Sequence, residues 1–190
     1  MATTFERLKD SITSIAHWCS GSGSKLFVVV DDWEDRNEEV LELEKEYRDV
    51  GIEATFINPF DNSHTTSQSH FMVLVRMVES GSEAKWFCLL DDDTFFPHLD
   101  PLADALSQID HTSDAYVGAL SEDFPSVQVF GLMAFGGAGV YLSAPLARKL
   151  GQPDLAEECI RETPPNFGDV IIRDCVYRHS KAKLTWLPGL

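Results

Sequence analysis

Five apolar residues, Trp86-Phe87-Cys88-Leu89-Leu90, run without a break into three aspartates, Asp91-Asp92-Asp93. A short apolar run of this kind reads as a buried strand. Three carboxylates at its end put dense negative charge at a strand's carboxyl edge, where open α/β sheets bind ligands. Phe95 and Phe96 follow, so large apolar residues flank the triplet on both sides, which a solvated acidic turn does not need. Carboxylates this close repel one another. A hard divalent cation relieves the repulsion, because such ions take carboxylate oxygens.

The rest of the chain predicts a frame for this strand. Phe5, Leu8, Ile12 and Ile15 have helical spacing over residues 3–17, and Gly21-Ser22-Gly23-Ser24 ends the pattern. Lys25–Val30 reads as a strand closing on Asp31-Asp32. Asn37–Val50 reads as an amphipathic helix with Gly51 just past its end. Ile52–Ile57 is a second strand, and a helix capped by Ser63 or Thr66 runs to about Glu79. Strand, helix, strand, helix, strand is the signature of an α/β protein with a parallel sheet and right-handed crossovers. Beyond the triplet the pattern predicts a short helix over 101–109 and strands over 115–120 and 127–135. A tight Gly136-Gly137-Ala138-Gly139 turn leads into Val140-Tyr141-Leu142. A Ser143-capped helix over 144–150, a helix over 167–179 and a strand over 184–187 follow.

At 190 residues the chain suits one domain with a substantial core, and 44% hydrophobic content argues against disorder. The net charge of −16 is unevenly spread. Residues 1–147 hold 8 Lys/Arg against 25 Asp/Glu, whereas residues 148–190 hold 7 against 6. An acidic surface of this kind excludes general binding to nucleic acid or anionic membranes. No apolar run approaches the roughly 18 residues of a membrane span, so a soluble chain is expected. None of Cys19, Cys88, Cys159 and Cys175 forms a C-x-x-C pair, which disfavours zinc. Cys88 is expected to be a buried thiol, and Cys159 and Cys175 could pair in an oxidising compartment.

Three metal logics can use the triplet. A Ca²⁺ loop of EF-hand type needs glycine at its sixth position, where Phe96 stands. An aspartyl-phosphate phosphohydrolase would use Asp91 as nucleophile and Asp93 as its partner, yet Phe95 takes the place where Thr or Val is needed. The third is a D-x-D site, in which carboxylates hold a cation against a nucleotide diphosphate and the cation offsets charge on the leaving phosphate. His64 and His70 are expected at caps or on the surface, His98 in a loop and His179 as a cation in a last helical turn. Arg173, Arg178, Lys181 and Lys183 read as a solvated face that could also offset diphosphate charge.

The stretch Lys85–Phe95 resembles the metal-binding strand of the Fringe-like and β1,3-galactosyltransferase-like glycosyltransferases, with a look closest to fungal members. Phe135–Ser143 resembles the same family's G-G-A-G segment, and Gly168-Asp169-Val170 its acidic segment, although Gly168 replaces a common second acid. The resemblance implies a GT-A-type α/β fold with a Rossmann-like, mostly parallel sheet flanked by helices. It implies an N-terminal helix and linker over 1–24, a nucleotide-binding half over 25–120 and an acceptor-side half over 121–190. It further implies Mn²⁺ or Mg²⁺, a UDP-sugar donor, a glycan or glycoprotein acceptor, inversion at the anomeric carbon and work in the Golgi lumen. Carried over by residue, Asp93 and Asp91 hold the metal, and Asp91 and Asp92 hold the nucleotide or metal-bound water. Asp31 or Asp32 meets the uracil. Gly136, Gly137, Ala138 and Gly139 let the backbone approach donor or acceptor, and Asp169 is the general base. A carboxylate at a helix start is also favoured by the helix dipole alone. The family's further His ligand has no counterpart before Leu190. A non-catalytic sugar-nucleotide-binding relative is therefore the alternative, and the phosphohydrolase a remoter one.

Overall fold

The computed structural model describes residues 1–121 and 124–187. The closing Pro188-Gly189-Leu190, up to which no further His ligand was found, lies outside the described residues. In chain order the elements are β1 (Ala2–Thr3), α1 (Phe5–Cys19), β2 (Lys25–Val30), α2 (Asn37–Asp49), β3 (Glu53–Ile57), α3 (Thr66–Glu79), β4 (Trp86–Leu89) and α4 (Asp100–Ser107). They continue with β5 (Tyr116–Gly118), α5 (Phe124–Phe130), β6 (Val140–Ser143), α6 (Ala144–Leu150), α7 (Pro153–Glu162), α8 (Gly168–His179) and β7 (Leu184–Trp186).

The first sheet is parallel throughout, in the order β1-β2-β3, with Leu26 opposite Ala54 and Val28 opposite Phe56. The second has the order β4-β6-β5-β7, with β6 antiparallel to both neighbours and β5 parallel to β7. Strands buried on both faces read as unbroken apolar runs. β6 is one: all four of its residues are buried. Val28, Val30 and Leu26 pack with Leu8, Ile15, Val40, Leu43 and Tyr47 under α1 and α2. Val29, Phe87, Leu89 and Leu142 turn to the opposite face and pack with α3, α6, α7 and α8. α3 is the centre of that second core, since every residue from Ser69 to Val75 is buried. A helix apolar all round belongs inside a fold, not on its surface.

Several local expectations are corrected. Ala2-Thr3 is a strand, because its backbone completes the edge of β2, and the first helix begins at Phe5. The cap of α3 is Thr65, whose hydroxyl accepts from Gln68 N–H while the Gln68 side chain returns to Thr65 N–H. Ser143 makes no cap bond; its hydroxyl donates to Ser113 O and accepts from Ala115 N–H, tying β6 to the start of β5. Residues 127–135 are not a strand. α5 ends at Phe130, and the chain then runs irregularly to Gly136. α7 was not foreseen. It starts on Pro153, a residue suited to a helix's first turn.

Candidate active site

The acidic residues gather in a cavity of about 590 Å³ at the carboxyl ends of β1, β2 and β4. Asp91, Asp92 and Asp93 enter it from β4, Asp31 from β2 and Asp169 from the first turn of α8. Thr66 and Ser67 bring the N-terminus of α3 to the same space. Two helix N-termini thus face an acidic cavity, and their dipoles partly offset its charge.

The three aspartates of the triplet differ in state. The Asp91 side chain is half-buried and has no hydrogen bond or ion pair among the described residues. Burial, with Asp93 and Asp92 adding repulsion, raises its pKa. Asp92 is held by Arg7, whose Nε donates at 2.5 Å, and by the Thr3 hydroxyl. Burial pushes the Asp92 pKa up, but the Arg7 and Thr3 bonds outweigh it and keep it below the usual range. The Asp93 side chain is 77% exposed, with Arg7 at 3.9 Å. An unpartnered, partly desolvated carboxylate beside an exposed one fits a divalent cation. An all-carboxylate donor set suits hard ions of the Mg²⁺ and Mn²⁺ kind.

Asp169 sits beside Asp91 over the backbone of Gly136. Its Oδ2 accepts from Gly136 N–H at 2.9 Å. A Cβ placed on Gly136 would stand 2.5 Å from Asp169 Oδ1 and 3.3 Å from Asp91 Oδ2. Glycine is thus required here by close approach rather than by backbone angle. Burial pushes the Asp169 pKa up to about 6, with the Gly136 amide opposing the rise and Asp91 adding to it. A carboxyl so placed can carry a proton near neutral pH, which is what a general base requires.

The remaining expected residues divide. Asp31 lines the cavity and accepts from the Thr66 hydroxyl at 2.6 Å. Burial raises its pKa against the pull of Thr66 and Ser69. Asp32 instead closes α1, accepting from Phe5 N–H at 2.7 Å where the N-cap Thr4 makes no side-chain bond. Gly137 and Ala138 border a neighbouring recess of about 550 Å³ with Phe95, His98 and Leu120. Gly139 has φ +87° and lies against Leu90 and Tyr141, so it serves the entry to β6. The C-terminal cations do not reach the cavity: Arg178 pairs with Glu162, Arg173 with Asp174, and Lys183 lies over Tyr177.

Two residues at the cavity escaped sequence reasoning. Arg7 sits on the exposed face of α1, and nothing local distinguishes it from any helical arginine. His70 was expected at a cap or surface but is 7% exposed, and its Nε2 has no partner among the described residues. The apolar run Phe71–Val75 behind it was the available signal. Burial, with the chain's amino group adding to it, lowers the His70 pKa to about 3, so its ring is neutral.

A profile of the Fringe-like family matches residues 21–189. The chain belongs to the Fringe-like family. Its α/β fold is therefore of GT-A type, with a parallel three-stranded sheet flanked by helices. Among its relatives, the β-1,3-N-acetylglucosaminyltransferase lunatic fringe of Xenopus laevis is 27% identical over 143 residues, covering 67% of this chain and 38% of that protein. Lunatic fringe of Gallus gallus is 28% identical over 145 residues, covering 67% and 39%. Radical fringe of Xenopus laevis is 40% identical over 80 residues, covering 36% and 23%. The Fringe-like chain thus spans less than two-fifths of the length of these relatives. No helix among its described residues is long and apolar enough to cross a membrane.

Proposed function

We propose that this chain carries the donor-binding and catalytic core of an inverting, metal-dependent glycosyltransferase. It moves a hexose or N-acetylhexosamine from a UDP-sugar to a hydroxyl of a glycan or glycoprotein. The carrying observation is the meeting of Asp91 and Asp169 above Gly136. The names of the relatives favour N-acetylglucosamine as the sugar.

In this reading Asp91 and Asp93 hold Mn²⁺ or Mg²⁺. The cation supplies charge neutralisation for the departing diphosphate. Asp92, fixed by Arg7 and Thr3, keeps one carboxylate in a set orientation toward the ribose. Asp31 faces the base. Asp169 removes the proton from the acceptor hydroxyl as its oxygen attacks the anomeric carbon from the side opposite the diphosphate. The carbon–oxygen bond to UDP breaks, the new glycosidic bond forms, and the configuration inverts. The backbone amide of Gly136 orients Asp169 for this transfer. Work in the Golgi lumen agrees with the disulfide between Cys159 and Cys175, since such bonds persist in oxidising compartments.

Calorimetric titration of UDP with and without Mn²⁺, followed by UDP-N-acetylglucosamine turnover, tests the proposal. UDP is expected to bind only with the metal. Asp91→Asn is expected to abolish that metal-dependent binding, and Asp169→Asn to keep binding but lower turnover about 10²–10⁴-fold. Metal-dependent binding with no turnover in the unmutated chain would instead support the non-catalytic relative.

A further inference from the structure

A second group of metal-binding side chains lies well away from the acidic cavity. Cys175 and His179 stand four apart on α8, so they share one face of the helix. Cys159 meets that face from α7, where it is bonded to Cys175. The two sulfurs and a ring nitrogen of His179 lie within 4.8 Å of one another. Both cysteines are fully buried. His179 Nε2 is also buried and has no hydrogen-bond partner among the described residues. A buried nitrogen left unsatisfied costs free energy that a bond to it recovers. About 15 Å of α8 separates His179 from Asp169.

While the disulfide is closed, the sulfurs are engaged with each other. A dithiol or phosphine reductant opens the bond with two electrons, and two thiols result. Two thiolates and an imidazole form a donor set suited to zinc, with bonds of about 2.0–2.3 Å. A tetrahedral ion then holds its two sulfurs roughly 3.8 Å apart. The Cα atoms of Cys159 and Cys175 are 5.4 Å apart, so side-chain rotation supplies that separation. Glu158 Oε1 lies 3.9 Å from His179 Nε2. Nitrogen and oxygen ligands of one zinc stand roughly 3.3 Å apart, so Glu158 is placed for the fourth position. The His179 side chain is 20% exposed, which gives an ion its way in. Arg178 and Lys181 line the surface recess beside it, and neighbouring cations favour thiolate over thiol. The carbonyl end of α8 in turn favours a cation.

We propose that Cys159, Cys175 and His179, with Glu158, form a zinc site in the reduced chain, and that disulfide formation closes it. Zn²⁺ enters as the two thiols release two protons. A low-molecular-weight disulfide reverses the step. Its S–S bond accepts two electrons and leaves as two thiolates, the Cys159–Cys175 bond forms, and Zn²⁺ departs. Either link clamps α7 to α8, so the helix that carries Asp169 is held before oxidation as well as after it. The 16 residues between the cysteines hide this set from a C-x-x-C reading.

The test reduces the full chain with a phosphine in the absence of oxygen, removes the phosphine, and titrates Co²⁺ followed by Zn²⁺. The reduced chain is expected to show thiolate-to-cobalt charge transfer and the intense visible bands of tetrahedral Co²⁺, both lost as Zn²⁺ displaces the cobalt. The oxidised chain should show neither, whatever metal its aspartates take. Zn²⁺ at 100 times its Kd should raise the Tm of the reduced chain by about 5 °C or more beyond any rise in the oxidised chain. At that concentration it should slow alkylation of Cys159 and Cys175 at least about tenfold and leave the free thiols Cys19 and Cys88 unchanged. His179→Gln retains the disulfide for folding, and once reduced it should bind Zn²⁺ at least about tenfold more weakly. A reduced chain without the charge-transfer band overturns the proposal. So does a band that persists in Cys175→Ser, which would put the metal on Cys19 or Cys88, or one that survives re-forming of the disulfide by oxidised glutathione. Unchanged Zn²⁺ affinity in His179→Gln overturns it as well. Should Cys175→Ser fold poorly, the alkylation pattern of the unmutated chain decides which cysteines hold the ion.

Discussion

At the scale of single residues, Gly136 is the position at which the site has least freedom. Its missing side chain leaves the space in which two carboxylates meet. Gly136→Ala is expected to displace Asp169 and lower turnover by about 10²-fold, as misplacements of about 1 Å do. Tm and UDP affinity should change little, which separates displacement from unfolding. Asp169 itself gives a pH prediction. Its folded pKa, about 6, lies above the ordinary carboxylate value of about 3.9. The stability linked to its protonated form is complete below the unfolded value and is lost as pH rises through about 6. Asp169→Asn should therefore raise Tm by a few degrees at pH 7.5 without metal, and the gain should vanish near pH 4. Melting curves of both proteins across that range check the sign.

At the scale of elements, α8 matters most because it carries Asp169 at its start and a disulfide in its interior. Cys175 on α8 bonds Cys159 on α7, 16 residues away in sequence. Closing a loop of about that length is worth about 3 kcal/mol. Reducing the bond, or Cys175→Ala, is expected to lower Tm by about 6–12 °C. Melting with and without reductant reads this directly. Hydrogen exchange should then rise first in α7 and α8, while α2 stays protected. Thr65 adds a second tie in the same region: its hydroxyl donates to Pro165 O at 2.5 Å, just ahead of α8. α3 and α8 thus enter the site as a pair.

At the scale of the whole molecule, the controlling quantity is charge. A chain of net charge −16 that gathers five aspartates around one cavity stores repulsion there. A ligand that binds only the folded state stabilises it in proportion to the logarithm of its concentration. Mn²⁺ at 100 times its Kd should add about 2.7 kcal/mol, a Tm rise of about 5–11 °C. UDP should add more on top of Mn²⁺ and little without it. Asp91→Asn should remove most of the Mn²⁺ shift, and Asp32→Asn should leave it intact while lowering the starting Tm. Differential scanning fluorimetry of the three proteins decides the matter. An equal Mn²⁺ shift in Asp91→Asn would place the cation elsewhere.

Much of this protein can be read from its chain, for a physical reason. Strands β2, β4 and β6 announce themselves as short apolar runs, β3 by exposed Glu53 and Thr55 alternating with buried Ala54 and Phe56, and α2 because one buried stripe demands helical spacing. The Asp triplet, the glycine turn and Asp169 were likewise visible as residue types in order. Tertiary structure alone decided what each does. Asp92 went to Arg7 from a helix 85 residues away, and Asp32 to the start of α1. Residues 127–135 carry strand-like composition, yet 127–130 belong to α5 and 131–135 run irregularly, since propensity yields to what neighbouring surfaces can bury. Sequence fixes which groups the chain owns, because periodicity and charge are local. Which of them meet depends on distances between segments far apart in the chain, and only packing sets those.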